Sequence, residues 1–109
     1  MPRNAKSPEK AANPDFYRII VEKNLVGEHS FEHEKKFQSE LGRTALPVVL
    51  DLTRTTSIDS RGIALCVGLL KECEKKGVAL TLEVNPTLAR FFRLLKLDRV
   101  FQTIERGNE

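Results

Sequence analysis

Residues 48–84 hold the strongest constraint on the fold. There the run "VVLDLT", the stretch "DSRGIALCVGLLKECEKKG" and the run "VALTLEV" follow one another with no linker. A short apolar run bounded by turn residues marks a strand buried on both faces. Between the two strands, Ile63, Val67 and Leu70 keep helical spacing and Cys73 continues their face. The run from Ile63 to Leu70 is apolar nearly all round, which predicts a well-buried helix, with Gly68 marking a close approach to a neighbour. Lys75, Lys76 and Gly77 make a fitting end, because cations complement the helix dipole and glycine takes the left-handed cap. A strand, a crossover helix and a second strand make a parallel unit.

The flanking sequence repeats the alternation. "FYRIIVEKNLVG" is β-branched and partly alternating, so it predicts one strand or a cramped hairpin turning at Glu22–Asn24. "SFEHEKKFQSELG" reads as an amphipathic helix, with Ser30 as cap, Phe31, Phe37 and Leu41 as its apolar stripe and Gly42 as its stop. Pro47 belongs at a strand entry, where a missing N–H costs least. "NPTLARFFRLLKL" places Asn85 at a helix cap, Pro86 at the first helical position, and Leu88, Phe91, Phe92 and Leu95 inward. "VFQTI" is a last short strand. The order implies an α/β fold in one domain over residues 15–109: a mostly parallel central sheet of four or five strands with helices packed on it. Residues 1–14, "MPRNAKSPEKAANP", have no apolar period and predict a disordered basic tail.

Composition narrows the function. Hydrophobic and charged contents of 40% and 30% suit a globular chain, and no apolar run approaches the ~20 residues a membrane span needs. The first residues lack the apolar core of a secretory signal, so a cytoplasmic protein without membrane insertion is expected. A net charge of +3 comes without a helix-turn-helix, zinc or aromatic-basic pattern, so no direct nucleic-acid contact is expected. Cys66 and Cys73 stand seven apart on one helix, too distant for a disulfide, and no CxxC accompanies them; neither a metal nor a cofactor is expected.

The helix mouth, "TTSIDSRG", is the chemically interesting segment. In an open α/β sheet, functional loops gather at the carboxyl ends of the strands, and this loop lies there. A nucleophilic serine would need a histidine base, yet His29 and His33 lie on or near the first helix and nothing like GxSxG surrounds Ser60. A phosphate-cradling lysine loop is also missing, so the chain is not expected to be an enzyme. Two readings of Ser60 stay open: Asp59 or Ser60 caps the helix, or Ser60 accepts a phosphoryl group. Thr53, Thr55, Thr56 and Ser57 are further hydroxyls nearby. Arg90, Arg93 and Lys96 form a basic stripe on the later helix, either a solvated face or a docking surface for an acidic partner.

The segment "LPVVLDLTRTTSIDSRGIALCVGLLKECEKKGVALTLEVNPTLARFFRLLKLDRVFQTIE" resembles the STAS domain of bacterial anti-sigma factor antagonists. Its most specific part is a buried strand, a loop ending in Asp-Ser-x-Gly, then an apolar helix. The resemblance implies a partner-switching protein. Its unphosphorylated form binds an anti-sigma factor, typically a GHKL-fold serine kinase, which phosphorylates Ser60 with ATP and ends the binding; a metal-dependent serine phosphatase resets it. Carried over by position, Ser60 is the phosphorylated serine, and Asp59, Ser60, Arg61, Gly62, Ser57 and Ser30 belong to the partner surface. Arg61 stands where the family often has a small residue, and Ser30, in Gly27-Glu28-His29-Ser30, stands where it usually has an acid. The alternative implied is a STAS subunit of a transporter or a stress-sensing assembly, with no phosphoswitch at Ser60.

Overall fold

The computed structural model describes residues 15–22 and 24–107. The segment expected to be a disordered tail, residues 1–14, lies outside them, as do the last two residues of the expected domain. Four strands form one sheet in the order β1-β2-β3-β4, every neighbouring pair parallel. They are β1 (Tyr17–Ile20), β2 (Val48–Leu52), β3 (Leu80–Val84) and β4 (Gln102–Glu105). Between them run α1 (Ser30–Leu41), α2 (Ser60–Lys76) and α3 (Pro86–Leu94), with 3-10 turns at Gly27–His29 and Leu97–Arg99. The described part of "FYRIIVEKNLVG" is therefore one strand and not a hairpin.

Period-two alternation decides where the core sits. Val48, Leu50 and Leu52 of β2 are paired with Leu80, Leu82 and Val84 of β3, and all six are buried. Phe37, Leu41, Cys66, Leu69, Cys73, Leu88 and Phe92 from the three helices join them in one cluster. Right-handed crossovers that all step the same way lay their helices on one face of the sheet. The other face carries Arg18, Val49, Asp51, Thr81 and Ile104, and Val49 and Asp51 are only half-buried there. The expectation that "VVLDL" is buried on both faces thus holds for one face only.

Helix ends and faces differ in places from the sequence reading. Asn85 caps α3, accepting from Leu88 N–H at 2.9 Å, with Pro86 next, and Gly77 ends α2 at φ 75° as expected. Ser30 does not cap α1: the 3-10 turn precedes it, and His29 at the cap position supplies no side-chain bond. Gly42 ends α1 with right-handed geometry. Phe31 is 70% exposed beneath the Lys35 ammonium, outside the buried stripe of His33, Phe37 and Leu41. On α2 the buried line is Gly62, Cys66, Leu69 and Cys73, flanked by half-buried Ile63, Val67 and Leu70. Gly68 is exposed and a Cβ there would touch nothing; the close approach is at Gly62. Leu95 faces outward because α3 stops at Leu94.

Burial fixes the character of the two thiols. It pushes Cys66 up to about 12 and raises Cys73 as well, so both stay protonated and pack as small apolar groups. No group of three or more His, Cys, Asp or Glu side chains among the described residues could hold a metal, and no described helix is long and apolar enough to cross a membrane.

Candidate functional site

The site forms where the chain leaves β2 and enters α2. Leu25, beyond β1, makes a single parallel bridge with Ile58. Leu25 N–H donates to the Ser57 carbonyl at 3.0 Å, and Asp59 N–H donates to the Leu25 carbonyl at 3.1 Å. Asn24 strengthens the seam: its Oδ1 accepts from Thr56 N–H at 2.9 Å, from the Thr56 hydroxyl and from Ser57 N–H at 3.2 Å. The loop that carries Ser60 is therefore tied down along its length.

Asp59 organises the helix mouth. One carboxylate oxygen accepts from Arg61 N–H and Gly62 N–H, each at 3.0 Å, which makes Asp59 the cap of α2. The other accepts from Gly27 N–H at 2.8 Å. These backbone donors, Gly27 first, hold the Asp59 carboxyl below the usual carboxylate range. Arg61 leans on the same turn, since a Cβ on Gly27 would lie 3.0 Å from its Cδ. Both neighbours of Ser60 thus grip the segment Gly27-Glu28-His29, and Ser30 follows directly as the half-buried start of α1.

Gly62 explains why the mouth has this shape. A Cβ at that position would sit 2.1 Å from the Leu25 carbonyl oxygen and 2.9 Å from Ile58. Only a residue with no side chain lets α2 start directly under the Leu25 bridge. Gly62 was expected on the partner surface; it is buried, and packing accounts for it.

The hydroxyls separate by environment. Thr55 is fully buried, Thr53 donates to Asp51 at 2.6 Å, and Thr56 is held by Asn24. Ser57 and Ser60 are exposed, and neither hydroxyl is bonded to another described residue. Ser60 occupies the first helical position, beside a cap that Asp59 already supplies. Arg54, in the same loop, pairs with Glu22 at 3.2 Å across the exposed rim.

Asn24 and Asn85 are the site residues that sequence reasoning missed in this role. Asn85 Nδ2 donates to the carbonyls of Thr53 at 3.2 Å and Thr55 at 2.8 Å, so the cap of α3 also fixes the β2–α2 loop. Its cap position was visible in "NP", whereas its reach across the sheet was not.

The family profile of the STAS domain matches residues 8–107. A crystal structure from Thermotoga maritima, of a protein named as a candidate anti-sigma factor antagonist, has the same fold with a TM-score of 0.72. The match covers 85% of this chain and 80% of that one at 25% sequence identity. No curated protein sequence matches the chain.

Proposed function

The chain belongs to the STAS domain family, and from that premise we propose that it acts as an anti-sigma factor antagonist. In this reading its unphosphorylated form binds a GHKL-type serine kinase that is itself the anti-sigma factor, and phosphorylation of Ser60 breaks the complex. The observation that carries the reading is the division of labour at the helix mouth: Asp59 does the capping, which leaves the Ser60 hydroxyl exposed and without a structural task.

The chemistry asked of this chain is small. The kinase transfers the γ-phosphoryl group of ATP to Ser60 Oγ; the bond to ADP breaks, the new ester forms, and the hydroxyl proton leaves to the kinase. The Asp59 carboxylate is committed to three backbone donors and is a poor base. A phosphatase completes the cycle by hydrolysis. No catalytic group of this chain takes part in either step.

The switch follows from charge. A phosphate adds about −1.5 to −2 charges, next to an ionised Asp59. Arg61 N–H and Gly62 N–H already serve Asp59, so they are not free for the new anion. The phosphate therefore faces solvent, and the cost of stripping its water falls on the docked interface, not on the fold. A loss of ~4 kcal/mol weakens an affinity about a thousandfold. Asp59, Arg61, Ser57 and Ser30 fall in the proposed contact surface, with Gly62 beneath it.

Mass spectrometry of the protein taken from its own cells tests this. We expect one phosphate, on Ser60 and not on Ser57, and loss of that phosphate in Ser60→Ala. Equal phosphorylation of the Ser60→Ala chain would refute the assignment.

A further inference from the structure

The far end of α3 shows a surface that the Ser60 site does not use. Residues 90–99 carry Arg90, Arg93, Lys96 and Arg99 against Asp98 alone, a net of three positive charges and as many as the formal +3 of the whole chain. Among these cations, Leu94 is 73% exposed, Leu95 50% and Val100 51%. Isolated exposed leucines are ordinary, but three exposed aliphatic side chains and four cations within eleven residues, 90–100, are not.

The backbone holds them there. Leu95 N–H donates to the Phe91 carbonyl at 3.1 Å, Lys96 N–H to Arg93 at 3.0 Å, and Phe101 N–H to Leu97 at 2.9 Å. Lys96 takes a left-handed conformation at φ 60°, which turns the chain sharply between the leucines and the following 3-10 turn. Phe92 and Phe101 anchor both sides of this turn in the core, with ring centroids 6.1 Å apart. The backbone bonds and the turn at Lys96 thus place the aliphatic groups on the surface.

We propose that this surface, centred on Leu94 and Leu95 and ringed by Arg90, Arg93, Lys96 and Arg99, docks an acidic amphipathic helix of a partner protein. The aliphatic centre supplies burial and the cations supply charge complementarity, the arrangement of a helix-docking site. Three of the four cations are arginines, whose planar forks match carboxylates. Arg93 already has the Glu105 carboxylate 3.6 Å away, so this surface accepts that group. Because every strand is parallel and α3 runs back against them, Leu94, Leu95, Lys96 and Arg99 lie toward the amino-end pole of the sheet, away from Ser60, while Arg93 reaches back to Glu105 on β4. The inference does not rest on the phosphoswitch.

The test is a nuclear magnetic resonance titration of the whole chain with a synthetic peptide of about 16 residues, with leucines at i, i+3, i+4 and i+7 and glutamates on the flanks. Amide shifts are expected in residues 90–101 and not in 57–62. Arg90→Glu with Arg99→Glu, and separately Leu94→Ser with Leu95→Ser, should each weaken binding by about tenfold or more. These side chains are exposed, so the variants should fold, and their dispersed spectra check it. A peptide of the same composition with scattered leucines should bind at least about tenfold more weakly. The proposal is overturned by no saturable binding, by shifts elsewhere, or by equal binding of the scattered peptide. Binding to phosphatidylcholine vesicles with about one-third phosphatidylserine, but not to the peptide, would overturn it in favour of a membrane surface.

Discussion

A missing side chain at Gly62 and a carboxylate at Asp59 set the geometry around Ser60. The 2.1 Å separation between a Cβ at residue 62 and the Leu25 carbonyl involves backbone on both sides, so no flexible group can yield. Gly62→Ala is expected to destabilise the domain by about 2–4 kcal/mol, read as a lower urea midpoint. Gly27→Ala meets only the flexible Arg61 chain and serves as the mild control. Asp59 makes a second prediction. Its folded carboxyl lies below the ordinary value of 3.8, so its stabilisation is fully present above that value and is lost as the pH falls through the lower folded one. In Asp59→Asn, whose amide oxygen still caps, the stability curve should fall less steeply below about pH 4. At this scale the sequence was only partly legible. "DSRG" announced a helix start, but Asp59 and Ser60 competed for the cap until the oxygen positions decided it. Gly68 stands out because it sits in the middle of an apolar helix, whereas the glycine that matters is the third residue of that helix. Asn24 could not be found at all, since its bonds join segments 32 residues apart.

Elements were easier to read than their orientations. All four strands and three helices follow from period and punctuation, yet α2 is rotated from the expected face. Its apolar stripe is wide enough to be centred in two ways, and the side against the sheet is the one with small residues, Gly62 and Cys66. Phe31 misled for a related reason: an aromatic at helical spacing need not be buried when a neighbouring Lys35 can lie over its ring. The polar face of the sheet was invisible, because it depends on register. There Arg18 on β1 reaches Asp51 on β2 at 3.0 Å and Glu83 on β3 at 2.6 Å, and Arg106 meets Glu83 at 3.2 Å. Burial pushes the Asp51 carboxyl up, but hydrogen bonds from Thr53 and the charge of Arg18 outweigh it and leave the group below its usual range. Glu83, nearly buried and shared by both arginines, is the keystone of this cluster. Glu83→Gln should cost about 1–3 kcal/mol in chemical denaturation at neutral pH.

For the molecule as a whole, consecutive strands are neighbours and every connection passes through a helix, so the order of elements in the sequence is also their order in space. That is why the architecture could be anticipated from alternation alone. The same arrangement gives the domain two unlike poles. β2 delivers Ser60 to one of them, and β4 emerges at that same pole at Glu105, with Arg106 N–H bonded to the Val84 carbonyl at 2.8 Å. Only β3 lies between β2 and β4, so the exit is on the order of 10 Å from the end of β2. A bulky fusion joined immediately after Glu105 should therefore slow phosphoryl transfer to Ser60, while a fluorophore there should brighten or dim as a kinase arrives. Purification handles and reporters are not interchangeable on such a domain: the carboxyl end offers a detector beside the serine and is a poor place for cargo.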